Sequence, residues 1–303
     1  MKILQKLLVL MFFLLLLNSC TREFTLDTET TKSQIVVNSL VTNKNNMEVT
    51  VTQSFPVSGD VELNELVDAQ VSIFKEDVYL EDLTYSKSAE DVIGKFSTSF
   101  ITEPTKKYRI EVSHPDFDEV QATTYVPQGV DIANAAAKFV GGNAFNFSFD
   151  LRDSEVTDYY YLKMYFRGYV IDTLTQTRNY LINERIEIPV TAVPDGQRYL
   201  DNGYIFKDDT FGGNENTIAG VAKYSRIPNE AHEEIITDSS SLFIQLETLT
   251  EDAYKYYKSN ATYLNLFTVD IFGEATTLYG NVENGLGIFA GVYVSEVEVS
   301  VEF

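Results

Sequence analysis

Tryptophan is absent from this 303-residue chain, cysteine occurs once, histidine twice, and 23 basic residues face 45 acidic ones. Each shortage removes a class of function. A single cysteine excludes a disulfide framework and any cysteine-based zinc site. His114 and His232 stand 118 positions apart without spaced partners, so they make no zinc site. No Gly-x-Ser-x-Gly elbow offers a serine nucleophile to either histidine. Nothing among the 45 acids singles out a carboxylate pair for glycoside cleavage. The missing tryptophan leaves only tyrosine and phenylalanine to stack on sugar rings. A net charge of −22 and a pI near 4.4 repel phosphate backbones, which excludes nucleic acid as a partner. The composition is that of a non-enzymatic protein with no cofactor and no metal.

What is present begins at the N-terminus. Lys2 and Lys6 precede an unbroken apolar run from Leu7 to Leu17, 11 residues long. A membrane span needs about 20 apolar residues, so residues 1–19 read as an export signal. Leu17, Asn18 and Ser19 lead into Cys20, an order that resembles a lipobox, where the cysteine becomes the acylated N-terminus. Acylation contributes roughly 0.8 kcal/mol per buried CH₂, and more than one chain is needed for stable anchoring. Cys20 is thereby assigned to lipid. Loss of the leader removes two lysines and no acids, taking the net charge from −22 to −24. Residues 20–33, with five threonines and no period, read as a flexible tether whose reach is about 20 Å.

From residue 34 the dominant period is two. Ile35, Val37 and Val41 share a face, as do Val49 and Val51, Val71 and Ile73, and Tyr108, Ile110 and Val112. Short strands separated by Ser58-Gly59-Asp60 and His114-Pro115-Asp116 predict a β-sandwich over residues 34–128. The stretch 128–142, with its alanines and Gly141-Gly142, reads as a boundary containing a helical turn. A second β domain is expected over residues 137–303. In its strand near 158–172, Tyr160, Leu162, Met164 and Phe166 form one face; Tyr159, Tyr161, Lys163, Tyr165 and Arg167 form the other. The class is all-β, mainly antiparallel, with one helix near Thr250–Leu264, where Thr248 and Glu251 have capping-box spacing.

Two groups of residues could carry binding. The loop containing Asp208, Asp209, Asn214 and Glu215 offers oxygens and glycines for calcium, but it lacks the EF-hand spacing and reads first as a polar turn. The 19 tyrosines cluster at Tyr159 and Tyr161 and again at Tyr254 and Tyr257. Tyrosine supplies flat amphipathic contact area at interfaces, and it equally fills a core that has no tryptophan. Asn284-Gly285-Leu286-Gly287 lacks the Lys-Ser/Thr ending of a phosphate loop and reads as a sharp turn before the last strands.

Four features in order carry a family resemblance: Cys20 in its lipobox, Ile35-Val36-Val37-Asn38, Phe206-Lys207-Asp208-Asp209-Thr210-Phe211, and the run from Gly280 to Phe289. With the Glu251 to Tyr257 helix between the last two, the chain resembles a Bacteroidota outer-membrane lipoprotein family built on a domain of unknown function, DUF4249. The resemblance implies an immunoglobulin-like or carboxypeptidase-regulatory-like sandwich, then a second β-sandwich-like domain with one helix. It also implies an accessory lipoprotein of the outer membrane that partners a TonB-dependent receptor in binding or uptake of a substrate. The alternative is an envelope adhesion or structural lipoprotein that binds glycans or proteins. Glu23, Asp27 and Glu29 are spread rather than clustered behind Cys20, leaving the cell-surface and periplasmic faces both open.

Overall fold

Period-two patterning sets the strands, and tertiary pairing sets their order. The computed structural model describes residues 32–55, 63–141, 144–152, 158–172, 178–183, 186–187, 197–198, 203–208, 215–224, 232–235, 240–269 and 277–302. The leader, Cys20 and most of the tether lie outside them. In chain order the strands are β1 (Ile35–Thr42), β2 (Asn46–Gln53), β3 (Gln70–Lys75), β4 (Val78–Asp82), β5 (Thr84–Ser86), β6 (Lys95–Ile101), β7 (Lys107–His114) and β8 (Phe117–Tyr125). There follow β9 (Ile132–Gly141), β10 (Ala144–Arg152), β11 (Tyr159–Asp172), β12 (Arg178–Asn183), β13 (Ile186–Glu187), β14 (Gln197–Arg198), β15 (Tyr204–Lys207) and β16 (Glu215–Tyr224). The chain then runs through β17 (His232–Ile235), β18 (Ser241–Leu249), helix α1 (Glu251–Val269) and β19 (Leu286–Glu302). The protein is mainly β, with a large mixed sheet, a four-stranded antiparallel sheet in the order β4-β3-β7-β8, and one helix among the described residues.

Three clusters of buried side chains hold these elements. In the first, Val37 and Val49 from the large sheet meet Ile73, Ile110 and Val112 from the four-stranded sheet, all essentially inaccessible. In the second, Phe145, Phe147 and Phe149 of β10 meet Tyr160, Leu162, Met164 and Phe166 of β11 and Leu242, Ile244 and Leu246 of β18. Each such side chain contributes about 1.5–3 kcal/mol by leaving water. The stretch expected to hold a helical turn is instead β9, because Ala137 is buried and pairs with Phe147 while Ile132 and Ala135 pack against the second cluster. The third cluster lies beneath α1 and contains Tyr161, Ile205, Leu249, Ala253, Tyr257 and Ile288.

One strand, β19, joins three others of the large sheet. The first half of β19 pairs in parallel with β1, from Val36–Leu286 to Thr42–Val292. Its second half pairs antiparallel with β18, and Val301 reaches β9. Asn284 and Gly287 turn the chain into this strand with φ of 60° and 105°. A side chain at Gly287 would also collide with the Val37 carbonyl, so the position needs glycine for conformation and for close approach.

Helix α1 starts where its cap is satisfied. Thr250 Oγ1 accepts from the Ala253 amide at 3.3 Å, so Thr250 is the N-cap. The box expected from Thr248 does not form, because Thr248 is still in β18, paired with Tyr160 and Tyr293. No helix among the described residues is long and apolar enough to cross a membrane.

Glu65 staples the first cluster's rim. Its carboxylate accepts from Lys87 Nζ at 2.5 Å, from Tyr85 Oη at 2.8 Å and from the Gly94 amide at 2.9 Å. These bonds, Lys87's foremost, hold its pKa down from 4.5 to about 2. A pKa lowered by folding stabilises fully above the unfolded value and loses that stabilisation as pH falls from about 4.5 toward 2. Glu65→Gln should therefore cost about 2 kcal/mol at pH 7 and almost nothing near pH 2, as read from urea melts at both pH values.

Candidate functional site

The two tyrosine pairs lie far apart in sequence and come together beneath α1. Alternation on β11 sends Tyr160 into the second cluster and turns Tyr159 and Tyr161 toward the helix. On α1, Tyr254 and Tyr257 stand three residues apart and so share a face. Tyr159 stacks on Tyr254 with centroids 4.6 Å apart, and Tyr161 meets Tyr257 at 5.2 Å. Such pairs add about 0.5–1.5 kcal/mol beyond burial. Tyr161 and Tyr257 are buried and act as core, whereas Tyr159 and Tyr254 are half-buried at the edge. The core role open to tyrosine in the sequence is thus filled by Tyr161 and Tyr257, while Tyr159 and Tyr254 keep part of their rings accessible.

Lysines border this edge in a chain whose 45 acids outnumber its 23 bases. Lys207 Nζ sits 5.9 Å from the Tyr159 ring centre and 5.8 Å from that of Tyr254, and Lys258 Nζ lies 5.7 Å from Tyr254. Lys163 Nζ is 4.4 Å above Tyr161 and bonds Glu247 Oε1 at 2.6 Å. A cation over an aromatic face contributes about 0.5–1 kcal/mol when exposed. The edge is therefore a stacked aromatic surface bordered by Lys207 and Lys258.

A carboxylate fixes the helix beside that surface. Asp252 accepts from the Tyr279 hydroxyl through Oδ1 and from Asn281 Nδ2 at 3.1 Å through Oδ2. Asn281 also bridges the Phe289 backbone, donating to its carbonyl and accepting from its amide, both at 2.9 Å. Burial first, and the bond to Asp252 second, push the Tyr279 phenol up to about 12, so it stays a donor throughout the physiological range. Sequence reasoning missed Tyr279 and Asn281; the only signal was their place at the head of the glycine-rich run.

The other candidates are placed differently. Asp208 is 2% exposed, and its Oδ2 accepts from the Asp158 amide at 3.0 Å, while its own amide donates to the Asp158 carbonyl. Its carboxylate thus ties β15 to the start of β11. Glu215 is exposed and opens β16 opposite Arg152. Asp209 and Asn214 lie outside the described residues. Among the described residues no group of three or more His, Cys, Asp or Glu side chains could hold a metal ion. His114 Nε2 lies 3.1 Å from Asp68 Oδ1, and its Nδ1 accepts from the Asp116 amide at 3.2 Å, which fits a turn residue.

The Gly280–Phe289 run and the Glu251–Tyr257 helix, read as family features, are thus the parts that build and lock this site. No curated protein matches the chain. A family model described as a domain of unknown function, DUF4249, matches residues 21–298, most of the sequence, and the chain belongs to that family.

Proposed function

We propose that the protein is a lipid-anchored accessory protein of the outer membrane that partners a TonB-dependent receptor in binding or uptake of a substrate. The observation that carries this reading is the placement of the sole cysteine behind a short apolar leader, with the family match opening at the next residue, 21. Anchoring raises effective concentration, so a weak lateral contact with a receptor suffices. The Tyr159–Tyr254 edge supports a protein-facing role, since tyrosine is enriched at such contacts, and Lys207 and Lys258 beside it would favour an acidic partner surface. The reading is of a binding protein and not of an enzyme.

The architecture belongs to the same proposal: an immunoglobulin-like or carboxypeptidase-regulatory-like sandwich over 34–128, followed by a second β-sandwich-like module over 137–303. The shared core of β1, β2 and β6 with β3, β7 and β8 supports the first. The packing of β9, β10 and β16 against β11 and β18 supports the second.

Cys20→Ala is expected to move the protein from the membrane fraction to the soluble one. Wild-type protein extracted in mild detergent is expected to bring down a β-barrel receptor. Sedimentation of Cys20→Ala with membranes would end the anchor reading, and repeated purification without a barrel would end the partnership.

A further inference from the structure

The four-stranded sheet has an edge on each side, and among the described residues only the β8 side is covered. There Gln121 exchanges backbone hydrogen bonds with Glu283, and the Tyr125 carbonyl lies close against Gly291. On the other side β4 pairs with β3 alone. We propose that β4 takes up an extended, basic-flanked segment of a partner protein as an added strand. The proposal rests on the reading of a protein-binding accessory and deepens it by naming what kind of segment is bound and where.

Backbone geometry selects an extended chain. Glu76 and Asp77, with φ of 50° and 64°, form the tight turn that closes the hairpin at the Lys75–Val78 pair. Pairs in an antiparallel ladder alternate between bonded and non-bonded. Val78 therefore spends its amide and carbonyl on β3, while those of the next residue, Tyr79, point outward. The Tyr79 ring is set edge-on against Phe74 at 5.7 Å, and Arg109 lies 4.0 Å over Phe74, so the sheet surface behind the edge is already packed. Val78, Tyr79 and Leu80 are 65%, 53% and 40% exposed. Open edges are commonly blunted by lysine or proline, and these positions carry neither. A bulge at Leu80 bends the strand, which limits the added segment to a few residues.

Charge selects the flanks. Glu76 and Asp77 stand at one end of the edge, Glu81 and Asp82 at the other. Asp77 is paired with Lys107 at 3.3 Å and Arg109 at 3.7 Å. The other three have no cation at ion-pair distance among the described residues. Glu76 accepts from the Lys107 amide at 3.0 Å, Glu81 from the Ser99 amide and hydroxyl at 2.6 Å, and Asp82 from the Ser72 hydroxyl at 2.6 Å. A second copy paired edge to edge would set these acids against one another. Lysine or arginine on both sides of an apolar stretch would instead meet them.

The test is calorimetry of the full chain in detergent with a short peptide of alternating valine and threonine flanked by lysines, against the same peptide flanked by glutamates. Hydrogen exchange is followed at the Tyr79 amide. The lysine-flanked peptide should bind and slow that exchange about tenfold. The glutamate-flanked peptide should bind about tenfold more weakly, a gap that closes in high salt. Tyr79→Pro deletes an outward amide that the β3–β4 ladder does not use, so the fold should hold while affinity falls about tenfold. If Tyr79→Pro melts early, Val78→Lys combined with Leu80→Lys decides instead, since it blunts the edge and repels the lysine flanks. No binding of the lysine-flanked peptide, binding that leaves Tyr79 exchange unchanged, equal affinity for both peptides, or indifference to these substitutions each overturns the proposal. Peptide binding at β4 without receptor co-purification keeps this edge and sinks only the receptor partnership. A receptor that co-purifies equally with folded Tyr79→Pro sinks the edge and keeps the partnership.

Discussion

Gly291→Ala is expected to destabilise the protein by about 4 kcal/mol, far more than an ordinary surface glycine would. The reason is crowding by backbone. A Cβ at Gly291 would fall on the Tyr125 carbonyl oxygen, with the Tyr125 carbonyl carbon and Val126 Cα close behind it, and none of these can swing aside as a side chain can. The same residue pairs with Val41 of β1 and accepts both Thr250 bonds, so any retreat of β19 disturbs the parallel ladder and the helix cap together. Gly141 supplies the control. It has φ of 107° but nothing among the described residues within 4 Å of where a methyl group would lie, so Gly141→Ala is expected to carry chiefly conformational strain, about 1 kcal/mol. Chemical denaturation of the two variants should separate them clearly. Equal, small losses would mean that β19 and β8 part without cost, and the close approach would have no energetic meaning.

The contrast shows what could be read from the chain and what could not. Strands such as Ile35–Thr42 and Lys107–His114 were legible because alternation is local: each needs only one wet face and one dry face. The split of β11 into an apolar core face (Tyr160, Leu162, Met164 and Phe166) and a face of tyrosines and cations was legible for the same reason. Pairing was not. Nothing local in Ile35–Thr42 announces a parallel partner 250 residues later, since that register depends on which faces are left to bury after the hairpins form. The glycines near 285 read as a sharp turn, and Asn284 and Gly287 do turn. Their second duty, admitting one backbone against another, is invisible without the partner strand. The candidate site divides in the same way. Tyr159, Tyr161, Tyr254 and Tyr257 stood out by composition, yet their stacking, and the Asp252–Tyr279–Asn281 latch beside them, arise only when α1 folds back over β11 and β19. Asp208 misled for a physical reason: an acid followed by glycines suggests a wet loop, whereas this one is buried and spends its carboxylate on a backbone amide.

The other large effect concerns the ion pair beside that cluster. Lys163→Met should cost about 3 kcal/mol, because Glu247 is left buried without its cation. Glu247 is 6% exposed at the side chain, and its Oε2 already lacks a hydrogen-bond partner among the described residues. Gln245 Nε2, 2.8 Å from Oε1, would be its remaining donor. Lys163→Met combined with Glu247→Leu should recover most of the loss and end within about 1 kcal/mol of the parent, since an apolar pair of similar size carries no desolvation penalty. Such recovery gives a coupling energy that a double-mutant cycle measures directly; additive losses would instead show that lysine and glutamate act independently. The readout can be optical as well as thermodynamic. Because the chain has no tryptophan, its intrinsic emission comes from tyrosine, and Tyr161 lies directly beneath Lys163. If the pair positions the cluster, the single substitution should alter tyrosine emission before unfolding and the double substitution should restore it. The stacked edge at Tyr159 and Tyr254 would then be held in shape by a buried charge pair, at a stability cost that an apolar core would not carry.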